Sequence, residues 1–267
     1  MPWFDRQHFR LHYVDRGKGT PFIFQHGLGG STDQTAGLFP ATPGVRFLSL
    51  DCRSHGESEP TAQPKDLRFS LMADDILAWM DHLVVENVVL GGISMGAAIA
   101  LNLALRYPGR VRGLLLSRPA WLDGPMEAVD LYSEVAALIR SKGIDGGQRV
   151  FLASSTYARL RLESSDAANS LLSQFQAPRA KERVSRLEEM PRDIPHPDRK
   201  KWAAIKVPTL VLATDSDPVH PLRLARALAD VIPHAEFRQV AAKSIDVALH
   251  VREVQSAVGD WLEVFRS

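Results

Sequence analysis

Two rhythms of apolar residues alternate along this chain. Short apolar runs at residues 9–14, 22–24, 45–50, 87–90 and 111–116 have the length and the β-branched or aromatic content of strands. Between them, residues 71–84 place Leu71, Ile76, Trp79, Met80 and Leu83 on one side of a helix, with Ser70 as the expected N-cap. Residues 95–106 form a helix of small side chains that Pro108 ends. Val88-Val89-Leu90 and Leu114-Leu115-Leu116 lack any polar alternation, as in strands buried on both faces. Strands alternating with helices in this way predict an α/β fold, a mostly parallel sheet with helices on both faces.

The rhythm breaks after Pro119. Residues 121–202 hold helical patterns rich in Ala, Leu, Arg and Ser and no strand. A strand at 207–213, a helix at 221–231, a strand at 236–240 and an amphipathic helix at 247–265 then restore the alternation. The expected organisation is a core of residues 1–120 and 203–267, interrupted by a helical insertion over 121–202.

Composition narrows the function classes. The chain has 267 residues, 45% of them hydrophobic, enough for one substantial core. With 32 basic against 31 acidic side chains, the net charge of +1 gives no global field for nucleic acid. The single cysteine, Cys52, leaves no disulfide framework and no Cys-rich zinc site. No apolar run approaches the roughly 18 residues of a membrane span, and the polar start of the chain does not look like a secretory signal. The expectation is a cytoplasmic protein acting on a small molecule, without nucleic-acid or membrane partners, and with homo-oligomer formation open. HExxH, paired CxxC and GxxxxGK motifs are all missing, so no cofactor or metal is expected.

The strongest chemical signal is Gly92-Ile93-Ser94-Met95-Gly96, placed between a strand and a helix of small residues. Glycines two before and two after a serine permit a sharp turn that exposes the hydroxyl at the helix N-terminus. The helix dipole favours negative charge developing there. Upstream, His26-Gly27-Leu28-Gly29-Gly30 follows a strand. Such a loop can present the Leu28 amide to a substrate oxygen, and with the Met95 amide it would form an oxyanion hole. A dinucleotide loop is the weaker reading, because Thr32 stands where a third glycine is required. His26 is expected to brace the turn.

On these motifs the chain resembles the α/β-hydrolase superfamily of serine hydrolases, and residues 121–202 resemble that family's helical cap inserted after the sixth strand. The stretch from Asp51 to Ser58 is similar to the loop after the family's fourth strand, with Asp51, Arg53 and His55 read as loop-fixing residues. The resemblance implies a triad in the order serine, acid, histidine. The acid position matches Asp217, a few residues before Pro221, with Asp215 as its local competitor. The alternative acid position, after the strand ending at Leu116, offers Ser117, Arg118 and Pro119 but no carboxylate.

The histidine departs from the family pattern. Counting back from Leu262 to the place of the usual Gly-His pair lands on Lys243-Ser244. Of the later histidines, His220 lies in the acid's own turn and His234 precedes the last strand. His250 follows that strand on the inward side of the closing helix, among Val247, Val251, Val254, Val258 and Trp261 or Leu262. His250 is therefore the expected base, against the alternative of a buried histidine satisfied by a backbone carbonyl.

The resulting expectation is a hydrolase in which Ser94, His250 and Asp217 cleave a carboxylic ester, lactone or activated C–C bond through an acyl-serine. A serine at the elbow argues against the haloalkane-dehalogenase and epoxide-hydrolase chemistry that the family runs with an aspartate there. Two other classes stay open: a cofactor-free dioxygenase on the same fold, and a non-catalytic ligand-binding homologue. Within the insertion, Arg149, Arg159, Arg161, Arg179, Arg183 and Arg186 alternate with glutamates and read as solvated helix faces. Trp121, Met126, Tyr132 and Tyr157 read as core or as pocket lining.

Overall fold

The computed structural model describes residues 2–6, 8–39, 42–59 and 63–266. Strands β1 (Trp3–Arg6), β2 (Phe9–Gly17), β3 (Thr20–Gln25), β4 (Val45–Leu50), β5 (Val88–Ile93), β6 (Val111–Ser117), β7 (Thr209–Ala213) and β8 (Ala235–Gln239) form one sheet. Their order is β1-β2-β4-β3-β5-β6-β7-β8. The pairs β1–β2 and β2–β4 are antiparallel, and all the others are parallel. The carboxyl ends of β3 to β8 therefore point to a single edge, where loops gather.

Alternation along the strands feeds two cores. Phe22 and Phe24 of β3, with Leu210 and Leu212 of β7, face one side of the sheet, and Ile23 and Val211 face the other. The first side is covered by α1 (Thr32–Leu38) and α9 (Val247–Leu262), whose Val254, Val258, Trp261 and Leu262 pack on it. The second side is covered by α2 (Phe69–His82), α3 (Met95–Arg106) and α8 (Leu222–Val231). A sheet buried on both faces accounts for the unbroken apolar runs of β5 and β6.

Between β6 and β7 the chain is helical, forming α4 (Val129–Leu152), α5 (Ser155–Glu163), α6 (Ser165–Gln176) and α7 (Ser185–Glu189). Gly143, with φ 70°, breaks α4, a conformation that glycine adopts without a Cβ clash. Tyr132, Ile139, Phe151, Leu171 and Phe175 join the same apolar cluster as α2 and α3, so this region packs continuously onto the sheet domain.

Local expectations shift in several places. β1 and α1 were not legible from periodicity, being short. Arg68 occupies the cap position of α2, and Ser70 lies inside the helix rather than capping it. Val247 is exposed, because the buried stripe of α9 begins one turn later. Among the described residues, no helix is long and apolar enough to cross a membrane.

Candidate active site

Ser94 sits between β5 and α3 with φ 54° and ψ −108°, a region sparsely populated by residues with a Cβ and costing about 1–3 kcal/mol. The flanking glycines make the turn sterically feasible. A Cβ on Gly92 would come within 2.1 Å of the Gly96 carbonyl carbon, and one on Gly96 within 2.3 Å of the Gln25 oxygen. The Ser94 amide donates to the Ser117 carbonyl at 2.9 Å, and its own carbonyl accepts the Ala98 amide at 3.1 Å. The side chain is left over for other work.

The loop after β3 lies alongside. Gly27 brings its backbone so close that an added Cβ would stand 3.6 Å from the Ser94 Cβ. His26 holds this loop: its Nδ1 donates to the Gly27 carbonyl at 2.8 Å and its Nε2 accepts the Cys52 amide at 3.0 Å. Burial pushes the His26 imidazole below its ordinary pKa, which favours this neutral brace. Leu28 and Ser94 line one cavity of about 260 Å³, together with Arg118, Tyr132, Asp166 and Lys243.

The next loop is rigid for related reasons. Asp51 accepts the Thr32 amide at 2.6 Å and the Glu57 amide at 2.9 Å. Arg53 grips buried Asp75, and His55 Nδ1 donates to the Arg53 carbonyl at 2.8 Å. Cys52 is buried, and that burial raises its thiol well above the ordinary value, leaving it without nucleophilic character at neutral pH.

The turn after β7 delivers both an acid and an imidazole. Asp217 Oδ1 accepts the Val219 and His220 amides, each at 3.1 Å. This local capping folds the turn back, so that His220 Nδ1 reaches Asp217 Oδ2 at 2.9 Å. The opposite ring nitrogen, Nε2, lies 2.8 Å from Ser94 Oγ. With Nδ1–H donating to the carboxylate, Nε2 is free to accept the serine hydroxyl. Burial works against ionisation of Asp217, but His220 and Arg118 outweigh it and hold the carboxyl far below the usual carboxylate range.

His250 is not part of this arrangement, which corrects the sequence expectation. Its ring is buried as expected, but Nδ1 donates to the Ala241 carbonyl at 2.8 Å. Burial pushes its imidazole below the ordinary value. The position counted back from Leu262 is filled by Lys243, whose ammonium pairs with Asp166 at 2.7 Å. His220 lies in the acid's own turn, three residues after Asp217. Asp217 bonding the amides ahead of it is the signal that would have found it, since that turn sets the ring beside the carboxylate. Asp215, the competing acid, accepts a 3.4 Å contact from Gln239 and does not line the Ser94 cavity.

The insertion needs a second correction. Arg149, Arg159, Arg161 and Arg179 are exposed, but Arg183 and Arg186 are buried. Arg183 donates to the carbonyls of Gly56 and Ser58 at 2.7 Å, and Arg186 to that of Ser54 at 2.9 Å. They tie the insertion to the loop after β4. Burial lowers the Arg186 guanidinium to about 10. Tyr132 lines the Ser94 cavity, while Trp121, Met126 and Tyr157 belong to the core. Among the described residues, no group of three or more His, Cys, Asp or Glu is placed to hold a metal ion.

Comparison with known proteins agrees with this architecture. Residues 20–245 match the family model for the alpha/beta hydrolase fold. The chain is 28% identical to 2-hydroxymuconate semialdehyde hydrolase from Pseudomonas sp. (strain CF600), with 95% of this chain and 90% of that protein covered. It is 29% identical to the AB hydrolase superfamily protein YisY of Bacillus subtilis (strain 168), covering 86% of this chain and 87% of that one. The crystal structure of the enol-lactonase from Burkholderia xenovorans LB400 superposes with a TM-score of 0.78 at 22% identity, over 98% of this chain and all of the other.

Proposed function

The chain belongs to the α/β-hydrolase fold family, and from that premise we infer that it is a serine hydrolase acting through Ser94, His220 and Asp217. Its substrate is a small molecule with a carboxylic ester, a lactone or an activated C–C bond. The observation that carries this reading is the continuous contact from Ser94 Oγ to His220 Nε2 and from His220 Nδ1 to Asp217 Oδ2. The substrate range follows the relatives, which include a hydrolase of 2-hydroxymuconate semialdehyde and an enol-lactonase.

Ser94 Oγ attacks the substrate carbonyl carbon while His220 Nε2 takes the hydroxyl proton, and the carbonyl electron pair moves to oxygen. The amides of Leu28 and Met95 donate to that oxyanion, one such donor being worth about 2.7–4 kcal/mol. As the tetrahedral species collapses, His220 returns the proton to the departing oxygen or carbon, leaving acyl-Ser94. Water, deprotonated by His220, then repeats the attack and releases the acid. Asp217 stabilises the imidazolium in both halves. We read the helical insertion as a cap, because Tyr132, Asp166 and Ser170 contribute to the wall of the Ser94 cavity. A histidine bonded to the serine favours acyl transfer over oxygen chemistry by a histidine alone, in which the hydroxyl has no part.

A fluorophosphonate probe tests this directly, together with turnover of p-nitrophenyl acetate. The expected result is one covalent adduct at Ser94, with both labelling and turnover lost in Ser94→Ala. Turnover unchanged in that variant would overturn the reading, and oxygen uptake independent of Ser94 would replace it with the dioxygenase class.

A further inference from the structure

Asp217 receives more donors than the orientation of one imidazole requires. Beyond the two amides and His220, its Oδ2 accepts Arg118 Nε at 3.0 Å and Arg118 Nη2 at 2.5 Å. Arg118 stands directly after β6 with φ 47°, at the very position where an alternative acid was sought and none was found. Its Nη2 also reaches Asp166 Oδ2 of α6 at 2.8 Å, and Asp166 Oδ1 holds Lys243 Nζ at 2.7 Å. Arg118 thus shares the carboxylate oxygen that His220 uses, and Asp166 and Lys243 extend the chain of charges behind it.

We propose that Arg118 is a positioning residue of the Ser94 site. It anchors Asp217 by the shared oxygen, and Asp166 of the insertion divides its charge, so that the seating of the insertion sets how strongly Asp217 supports protonated His220. The proposal rests on the role of His220 argued above. A guanidinium on that oxygen opposes an imidazolium beside it, and a carboxylate drawing the guanidinium away relieves the opposition.

The titratable groups facing the pair from neighbouring elements are Tyr132 of α4, Asp166 of α6, Lys243 after β8 and His250 of α9. Burial raises the Tyr132 hydroxyl and lowers the His250 imidazole, so both are neutral near pH 7. Burial alone would raise the Asp166 carboxyl, but Arg118 and Lys243 hold it below its ordinary value, so it is ionised. The acting charges are therefore Arg118, Asp166 and Lys243. Two signs follow. Removing Arg118 makes protonation of His220 easier, and neutralising Asp166 makes it harder.

The test is an imidazole NMR titration of His220 in the full chain, its signal identified by loss in His220→Asn, alongside the pH profile of kcat/KM for p-nitrophenyl acetate. In Arg118→Met the His220 midpoint and the acidic limb move up by about one pH unit. In Asp166→Asn both move down, by less. Arg118→Lys keeps the midpoint near wild type but lowers kcat, because a lysine cannot reproduce the guanidinium fork. If Arg118→Met fails to fold, Lys243→Met carries the upward shift and Asp166→Asn the downward one. Midpoints that stay put, or that move the same way in the Arg118 and Asp166 variants, would overturn the proposal. The titration needs no turnover. Shifted midpoints without hydrolysis would sink the hydrolase reading alone, and hydrolysis with unmoved midpoints would sink the anchoring alone.

Discussion

Two loops leave neighbouring parallel strands at the same edge of the sheet, and each is followed by a histidine. In the turn after β7, Asp217 binds the amides of its own turn, and prolines at 218 and 221 restrict the backbone around it. The ring of His220 then has its polar needs met on one side by Asp217 and on the other by Ser94. The loop after β8 instead closes on itself. Asp246 caps α9 by accepting the Leu249 amide at 2.8 Å, and His250, one turn into that helix, donates to the Ala241 carbonyl. One histidine meets the serine of the elbow and the other fastens a loop. What separates them is the partner available locally: a carboxylate for His220, a backbone carbonyl for His250.

The contrast breaks most visibly in activity. His220→Ala is expected to lower kcat/KM for p-nitrophenyl acetate by about 10²–10⁴-fold, while His250→Ala stays within about threefold of wild type. The reverse pattern would exchange the two roles. A smaller effect belongs to folding. His250→Ala deprives the Ala241 carbonyl of its donor and is expected to cost about 1–3 kcal/mol in urea unfolding.

That stability term also has a pH signature. Because the folded-state pKa of His250 lies below its ordinary 6.5, the unfolded chain binds the extra proton first as pH falls. The wild type therefore loses stability from near pH 6.5 downward, and His250→Ala loses less over the same interval. A steeper loss in the variant would contradict the assignment of a neutral, fastening imidazole. The smallest effect comes from the cap. Asp246→Ala is expected to cost about 1 kcal/mol and to leave kcat/KM unchanged, since the Asp246 carboxylate caps α9 through the Leu249 amide and does not line the Ser94 cavity.

Much of the site was legible beforehand because it is written in local backbone demands. Gly92, Ser94 and Gly96 announce their turn through glycines that no other residue could replace at such close approach. Asp217 is marked by a buried strand before it and a helix after it. Arg118 was visible only as a missing carboxylate, because an ion pair across 99 positions leaves no periodicity in either partner. Arg183 and Arg186 escaped for the same reason. Their acceptors are carbonyls of a distant loop, whereas their sequence neighbours are those of a solvated helix.

The amino-acid order alone determined the strand and helix alternation, the sharp bend that presents Ser94 and the family to which the chain belongs, since each depends on contacts within a few residues. Which histidine meets that serine was decided only by the tertiary structure. Both histidines follow strands that end at the same edge of the sheet, and only the relative placement of β5, β7 and β8 puts one ring against Ser94 Oγ and the other against a carbonyl. Hydrogen bonds reach about 3 Å, and sequence separation carries no information at that scale.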